Sequence, residues 1–219
     1  MTGTREPEAL PSTVAGTTVH ELVIKKSRFI ARAVHVASVA EADAVVAAVR
    51  KEFWDARHSC VALVVGTHAD QQRSSDDGEP SGTAGIPMLE VLRHRNMTDV
   101  VTVVTRYFGG ILLGAGGLVR AYSSAVSETL DRAPIVRRAL LDEVLVDVPH
   151  AEAGRIEHVL RDWVTHHDAV LDDVAYASSV TFTLLVPARS RAALDTTLAT
   201  ASAGTLEALH VGTRVADLP

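Results

Sequence analysis

Alternating and helical spacings of apolar residues divide the chain into two series of elements. Residues 19–24 and 29–36 read as two strands, joined by Lys25-Lys26-Ser27-Arg28 as a hairpin. Ser38-Val39-Ala40-Glu41 has the form of a capping box. Behind it Val39, Ala42, Val45, Val46, Val49 and Phe53 recur at helical spacing, which predicts a helix over 38–53. The continuous apolar runs at 60–65 and 100–105 predict strands buried on both faces. Pro87 fits the first turn of a short helix carrying Met88, Leu89, Val91 and Leu92. After the second run comes a long helix with Leu118, Val119, Tyr122, Ala125, Val126, Thr129 and Leu130 on one face. Residues 71–85 are polar and hold three glycines and a proline, which predicts a loop long enough to carry function.

The last third of the chain repeats one pattern. Val144, Val146 and Val148 alternate as a strand, and Ile156, Val159, Leu160, Trp163 and Val164 mark a helix followed by a strand over 169–177. Then Val180, Phe182, Leu184 and Val186 alternate, Leu194 and Leu198 mark a second helix, and 206–215 supplies a last strand. Two β-α-β units in this order predict a ferredoxin-like fold. The chain is therefore expected to be α+β, with a loose tail over 1–16, one domain over 17–136 and a second over 141–219. The boundary is placed across 133–142, which holds Pro134 and Arg137-Arg138. A length of 219 residues is ample for two cores.

Composition narrows the function classes. With 47% hydrophobic and 22% charged residues, the chain is globular rather than disordered. The apolar runs are too short to cross a bilayer, and residues 1–7 lack the apolar stretch of a signal peptide. The single cysteine, Cys60, excludes an internal disulfide framework and fits a reducing compartment, so a cytoplasmic protein with no membrane partner is expected. The net charge of −6 is uneven. Residues 1–140 carry 16 Lys and Arg against 15 Asp and Glu, whereas 141–219 carry 5 against 12. A strongly acidic C-terminal domain repels phosphate backbones, so nucleic acid can meet only the N-terminal half.

The candidate chemistry lies in that half. Gly109, Gly110, Gly114, Gly116 and Gly117 fall between a strand and a helix, where they permit backbone approach by a ligand. The helix that follows opens with unpaired N–H groups, an anion site, and Arg106 and Arg120 flank it. The alternative is that these glycines only turn the chain and let the helix pack closely. The segment is not a Walker loop, and G-x-G-x-x-G is absent. Asp76, Asp77 and Glu79 place three carboxylates in four positions, either for Mg²⁺ or a basic partner or as a solvated acidic turn. Arg57 and His58 precede Cys60, which reads as core. With one cysteine a zinc site lacks ligands. Lys25, Lys26 and Arg28, with Arg57, Arg93 and Arg95, form either a basic patch or scattered surface charge. No base–nucleophile pair is evident, so no catalytic residue, metal or cofactor is expected.

Four motifs taken together resemble the YigZ/IMPACT family. They are Lys25-Lys26-Ser27-Arg28-Phe29, Asp55-Ala56-Arg57-His58-Ser59-Cys60, the run from Ser75-Asp76-Asp77-Gly78-Glu79-Pro80 to Ser81-Gly82-Thr83-Ala84-Gly85, and Arg106-Tyr107-Phe108-Gly109-Gly110-Ile111-Leu112-Leu113-Gly114-Ala115-Gly116-Gly117. They occur in order over residues 20–130. The resemblance implies an N-terminal domain of the left-handed β-α-β type found in the second domain of ribosomal protein S-five and in domain IV of elongation factor G. It implies a C-terminal ferredoxin-like domain similar to another elongation factor G domain. Eukaryotic members act as translational regulators through a partner of a starvation-responsive kinase and carry an N-terminal accessory domain for which no counterpart is expected here.

The function expected is non-catalytic binding, associated with translation or RNA, through the glycine-rich turn. The ligand-binding residues expected are Arg106, Gly109, Gly110, Gly114, Gly116, Gly117, Arg120, Asp76, Asp77, Glu79, Arg57 and His58. The partner expected is RNA, a ribosome-associated component or a regulatory protein. The alternatives are an enzyme or binder of a phosphorylated small molecule at the same surface, and a regulator that binds protein alone.

Overall fold

The computed structural model describes residues 9–218. It is an α+β structure of two compact units, Pro11–Arg137 and residues 138–218 with 9 and 10. The elements in order are β1 (Ala9–Val14), β2 (Thr17–Ile24), β3 (Ser27–His35), α1 (Val39–Glu52), β4 (His58–Val65), β5 (Gln71–Ser75), α2 (Gly85–His94), β6 (Val100–Tyr107) and α3 (Ala115–Arg132). They continue as β7 (Ile135–Val148), α4 (His150–Thr165), β8 (Val170–Tyr176), β9 (Val180–Val186), α5 (Arg191–Ser202) and β10 (Leu209–Leu218).

The N-terminal unit is a five-stranded sheet in the order β2-β3-β6-β4-β5, antiparallel at every pairing. β3 and β4, linked through α1, therefore run parallel with β6 between them. The continuous apolar character of β4 and β6 follows from burial on both faces. Val61, Leu63, Val65, Val101 and Val103 pack against Ala42, Val46 and Val49 of α1. Cys60, Ala62, Val64, Val100 and Val104 join Phe29, Met88, Leu92, Leu118, Tyr122 and Val126 in the core beneath α2 and α3. Ser38 caps α1, its Oγ accepting from Glu41 N at 3.2 Å, while Glu41 Oε2 accepts from Ala37 N at 2.8 Å. The β2–β3 turn is only two residues, Lys25 and Lys26, at φ +46° and +65°, so Ser27 and Arg28 belong to β3 rather than to the turn.

Two expectations are corrected. Residues 9–14 were expected in a loose tail but form β1. Ser12 N donates to Asn96 O at 2.9 Å, Thr98 N donates to Ser12 O at 2.8 Å, and Val14 is buried in the core. Backbone pairing rather than an apolar pattern makes this strand. Residues 1–8 of the expected tail lie outside the described residues. The expected loop over 71–85 begins with β5, which reads as polar because it is an edge strand with an exposed surface. The division between the units, at Arg137 and Arg138, lies within the expected 133–142, inside β7, which starts at Ile135.

The C-terminal unit follows the β-α-β-β-α-β order. β7 lies beside β9 and β9 beside β8, both antiparallel, with β10 and β1 also pairing with β7. Val144, Val146, Val148, Phe182 and Leu184 point to one face, which Ile156, Leu160, Leu194 and Leu198 of α4 and α5 cover.

Candidate functional site

Strand register places the first side chains. Arg106 on β6 stands opposite Phe29 on β3 and His58 on β4. Residues directly opposite share a face, and Phe29 belongs to the core under α3, so Phe29, Arg106 and His58 form one row on that face. Tyr122 of α3 meets Phe29 edge-on, with ring centres 5.2 Å apart.

The loop after β5 closes over this row by means of its three carboxylates. Asp76 accepts from Gly82 N at 2.8 Å, Ala84 N at 3.0 Å and Gly85 N at 2.8 Å, so it caps α2 from a distance. Burial pushes the Asp76 carboxyl up, but the three backbone donors outweigh it and hold the group below its usual range. Asp77 accepts from Ser59 N at 2.7 Å and from Arg50 at 2.6 Å. Glu79 accepts from Arg106 Nη1 at 2.7 Å and from Tyr122 Oη at 2.8 Å. Gly85 is needed where it stands, since a Cβ there would lie 2.7 Å from Ser75 N. The acidic loop is thus engaged with the fold itself. Among the described residues no three of His, Cys, Asp and Glu group as metal ligands would.

Arg106 is a different residue from the one the sequence led us to expect. Its side chain is 8% exposed and that of Glu79 is 3%, so its charge is largely matched inside the protein. The guanidinium also lies 5.3 Å from the Phe29 ring centre and 5.6 Å from that of Phe108. Its Nε is buried with no hydrogen-bond partner, a donor left over by the ion pair.

The glycines separate into distinct roles. Gly109 N donates to Ser27 Oγ at 3.1 Å, and a Cβ on Gly109 would fall 2.0 Å from the Lys26 carbonyl carbon. Gly109 therefore lets the turn lie on the β2–β3 hairpin. Gly110 and Gly114 have φ of +84° and +71° in open surroundings. Gly114 is the N-cap of α3 and offers no side chain, so the N–H groups of the first turn are left uncapped. Gly116 and Gly117 lie inside that first turn, not in the connecting turn where they were expected.

These features border a cleft of about 340 Å³. Arg57, His58, Glu79 and Arg106 supply its polar side; Phe108, Leu112, Leu113 and Leu118 supply an apolar wall; Gly114 and Ala115 bring in the start of α3. Arg57 is exposed and has no ion-pair partner among the described residues. His58 Nδ1 donates to Asp77 O at 2.9 Å. A neighbouring hollow of about 230 Å³ shares Arg57, Arg106 and Phe108 and adds Asp55 and Tyr107, whose hydroxyl donates to Asp55 at 2.7 Å.

Of the residues expected at a site, Arg57, His58, Glu79, Arg106 and Gly114 come together around the cleft. Asp76, Asp77, Gly109, Gly110, Gly116, Gly117 and Arg120 do not line it; Arg120 is exposed further along α3. Phe108, Leu112 and Leu113 were missed as site residues. Their one signal was apolar side chains in a turn, and Phe108 and Leu112 are 53% and 83% exposed. Tyr122, which holds Glu79 from below, reads in the sequence only as part of the apolar face of α3. Cys60 is fully buried and its Sγ donates to Asp76 O at 3.0 Å. Burial pushes its thiol up to about 12, which leaves it inert as a nucleophile. The arrangement can hold an oxyanion beside an apolar or aromatic group, and among these residues it offers no activated nucleophile.

Comparisons with known proteins agree with this architecture. Residues 25–130 match the Impact N-terminal domain, and 146–205 match a domain of unknown function, DUF1949. The chain is 45% identical to the IMPACT family member YvyE of Bacillus subtilis, over 74% of this chain and 73% of that one. It is 40% identical to the IMPACT family member YigZ of Escherichia coli, over 86% of this chain and 91% of the other. A crystal structure of a protein described only as hypothetical superposes with a TM-score of 0.58 at 38% identity, covering 93% of this chain and 98% of that one. No helix among the described residues is long and apolar enough to cross a membrane. With identities at this level over most of both chains, the protein belongs to the IMPACT family.

Proposed function

We propose that this protein is a non-catalytic, translation-associated regulator that binds single-stranded RNA through the cleft at the start of α3. One observation carries the reading: open hydrogen-bond donors and an exposed aromatic share one cavity. The uncapped first turn of α3 supplies donors for a phosphate, and Arg57 supplies donors and positive charge. Phe108 and the leucine wall supply a stacking surface for an unstacked base, the usual pairing of features in single-strand recognition. A cleft of about 340 Å³ suits one nucleotide rather than a duplex groove. Membership of the IMPACT family, which includes translational regulators, supports the cellular setting.

The test is a salt titration of single-stranded RNA binding. Each phosphate neutralised contributes a log–log slope of about −0.7 for single strands. Arg57→Ala is expected to flatten the slope by roughly one contact and Arg120→Ala to change it less, with both variants folded. No binding at low salt, or one slope for all three proteins, rejects the proposal. Exposure of Ile111 and Leu112 beside Phe108 favours a second reading, a protein partner docking on the same turn. That reading predicts binding of a partner with little salt dependence.

A further inference from the structure

We infer that His58 reads the sugar: its Nε2 accepts a hydrogen bond from the ribose 2′-hydroxyl of the nucleotide in the cleft, which selects RNA over DNA. This rests on the RNA-binding reading above and adds a specificity-determining residue to it.

The tautomer follows from one contact. Asp77 O lies 2.9 Å from His58 Nδ1, and a carbonyl oxygen can only accept, so Nδ1 carries the proton. In the neutral ring the lone pair is then on Nε2. Gly78, at φ +85°, leaves room for the ring at this contact, since a Cβ there would sit 3.3 Å from Nδ1. Nε2 has no hydrogen-bond partner among the described residues. His58 shares a face of the sheet with Arg106 and lines the cleft. The ring, held by its Nδ1 contact, therefore offers an acceptor to a site whose accessible polar groups are mainly donors.

The chemistry of a nucleotide says which donor it meets. Phosphate belongs with the α3 N-terminus and Arg57, and the base belongs with Phe108 and Leu112. Between them lies the ribose, whose 2′-hydroxyl is the donor that distinguishes RNA from DNA. The carboxylate on the wall, Glu79, takes both Arg106 and Tyr122 on Oε1, and its side chain is only 3% exposed. His58 is the acceptor that remains beside the sugar.

The experiment compares one oligonucleotide sequence in ribo, deoxy and 2′-O-methyl form; the methylated sugar cannot donate. The wild type is expected to bind the ribo form roughly three- to tenfold more tightly than the other two, the range of one ordinary hydrogen bond. His58→Phe is expected to bind all three alike. His58→Gln, whose amide oxygen can replace the Nε2 acceptor, is expected to keep part of the preference and guards against a misfolded phenylalanine variant. If the wild type binds all three equally, or His58→Phe keeps the full preference, the role of His58 is overturned while RNA binding stands. If the wild type binds none, both readings fall.

Discussion

Arg106 and Glu79 form an ion pair of 2.7 Å from which solvent is almost excluded, and Tyr122 donates to the same carboxylate oxygen. Removing one member leaves the other charged in a poor solvent for charge, which in comparable pairs costs about 3–5 kcal/mol. Arg106→Ala should therefore unfold at much lower urea concentration than the wild type. Replacing both, as Arg106→Met with Glu79→Leu, should recover a good part of the loss, but not all of it, because Tyr122 then lacks an acceptor. Near-wild-type stability of Arg106→Ala would show that the charge is not buried as described.

The two glycines that open the turn should respond differently to the same substitution. Gly110→Ala meets no atom within 4 Å and carries only the strain of a left-handed backbone, about 1–2 kcal/mol. Gly109→Ala drives a Cβ into the Lys26 carbonyl and must separate the turn from the hairpin. Thermal melts should rank Gly109→Ala well below Gly110→Ala. The reverse order would contradict the packing of the turn on β3.

Cys60 should be silent toward thiol reagents in the native protein at pH 8, and Cys60→Ala should retain any RNA binding. Burial raises its thiol from the usual value of 9.0 to about 12, so the folded state favours the protonated form. Between those values the unfolded chain has lost the proton and the folded chain still holds it. Stability from this group is thus complete below pH 9 and declines as pH rises toward 12. Burial pushes the Tyr122 phenol in the same direction. In Cys60→Ala the alkaline decline should be shallower. A midpoint falling as steeply with pH as in the wild type would count against it.

A fragment of residues 11–137 should unfold cooperatively on its own, whereas one starting at residue 17 should be much weaker. The difference is β1: Val14 packs in the core, Thr13 Oγ1 donates to Asp99 O at 3.0 Å, and Ser12 pairs with Asn96 and Thr98. Equal denaturation curves for the two fragments would deny β1 that role.

How far the sequence could be read depended on what each element needs from its side chains. α1, β4, β6, α3 and the C-terminal alternation are held by apolar side chains at regular spacing, and these were legible. β1 and β5 are held by backbone hydrogen bonds at sheet edges, and Gln71-Gln72-Arg73 carries no period that would reveal it. At the site, the glycines and charges were noticed as types, but their partners were not. Nothing in the linear order says that Glu79 neutralises Arg106, or that Asp76 faces three N–H groups rather than solvent. Phe108 and Leu112 were passed over because an exposed apolar side chain in a turn has meaning only once the cavity beside it is known.

The tethering of residues 76–85 has a kinetic consequence. Asp76, Asp77 and Glu79 fix the loop through contacts made within the chain, so the cleft wall is ordered when the protein folds. Association then loses little chain entropy on the protein side, and no closing step stands between encounter and the bound state. Binding of a short oligonucleotide should appear as a single concentration-linear phase whose rate is governed by diffusion and charge.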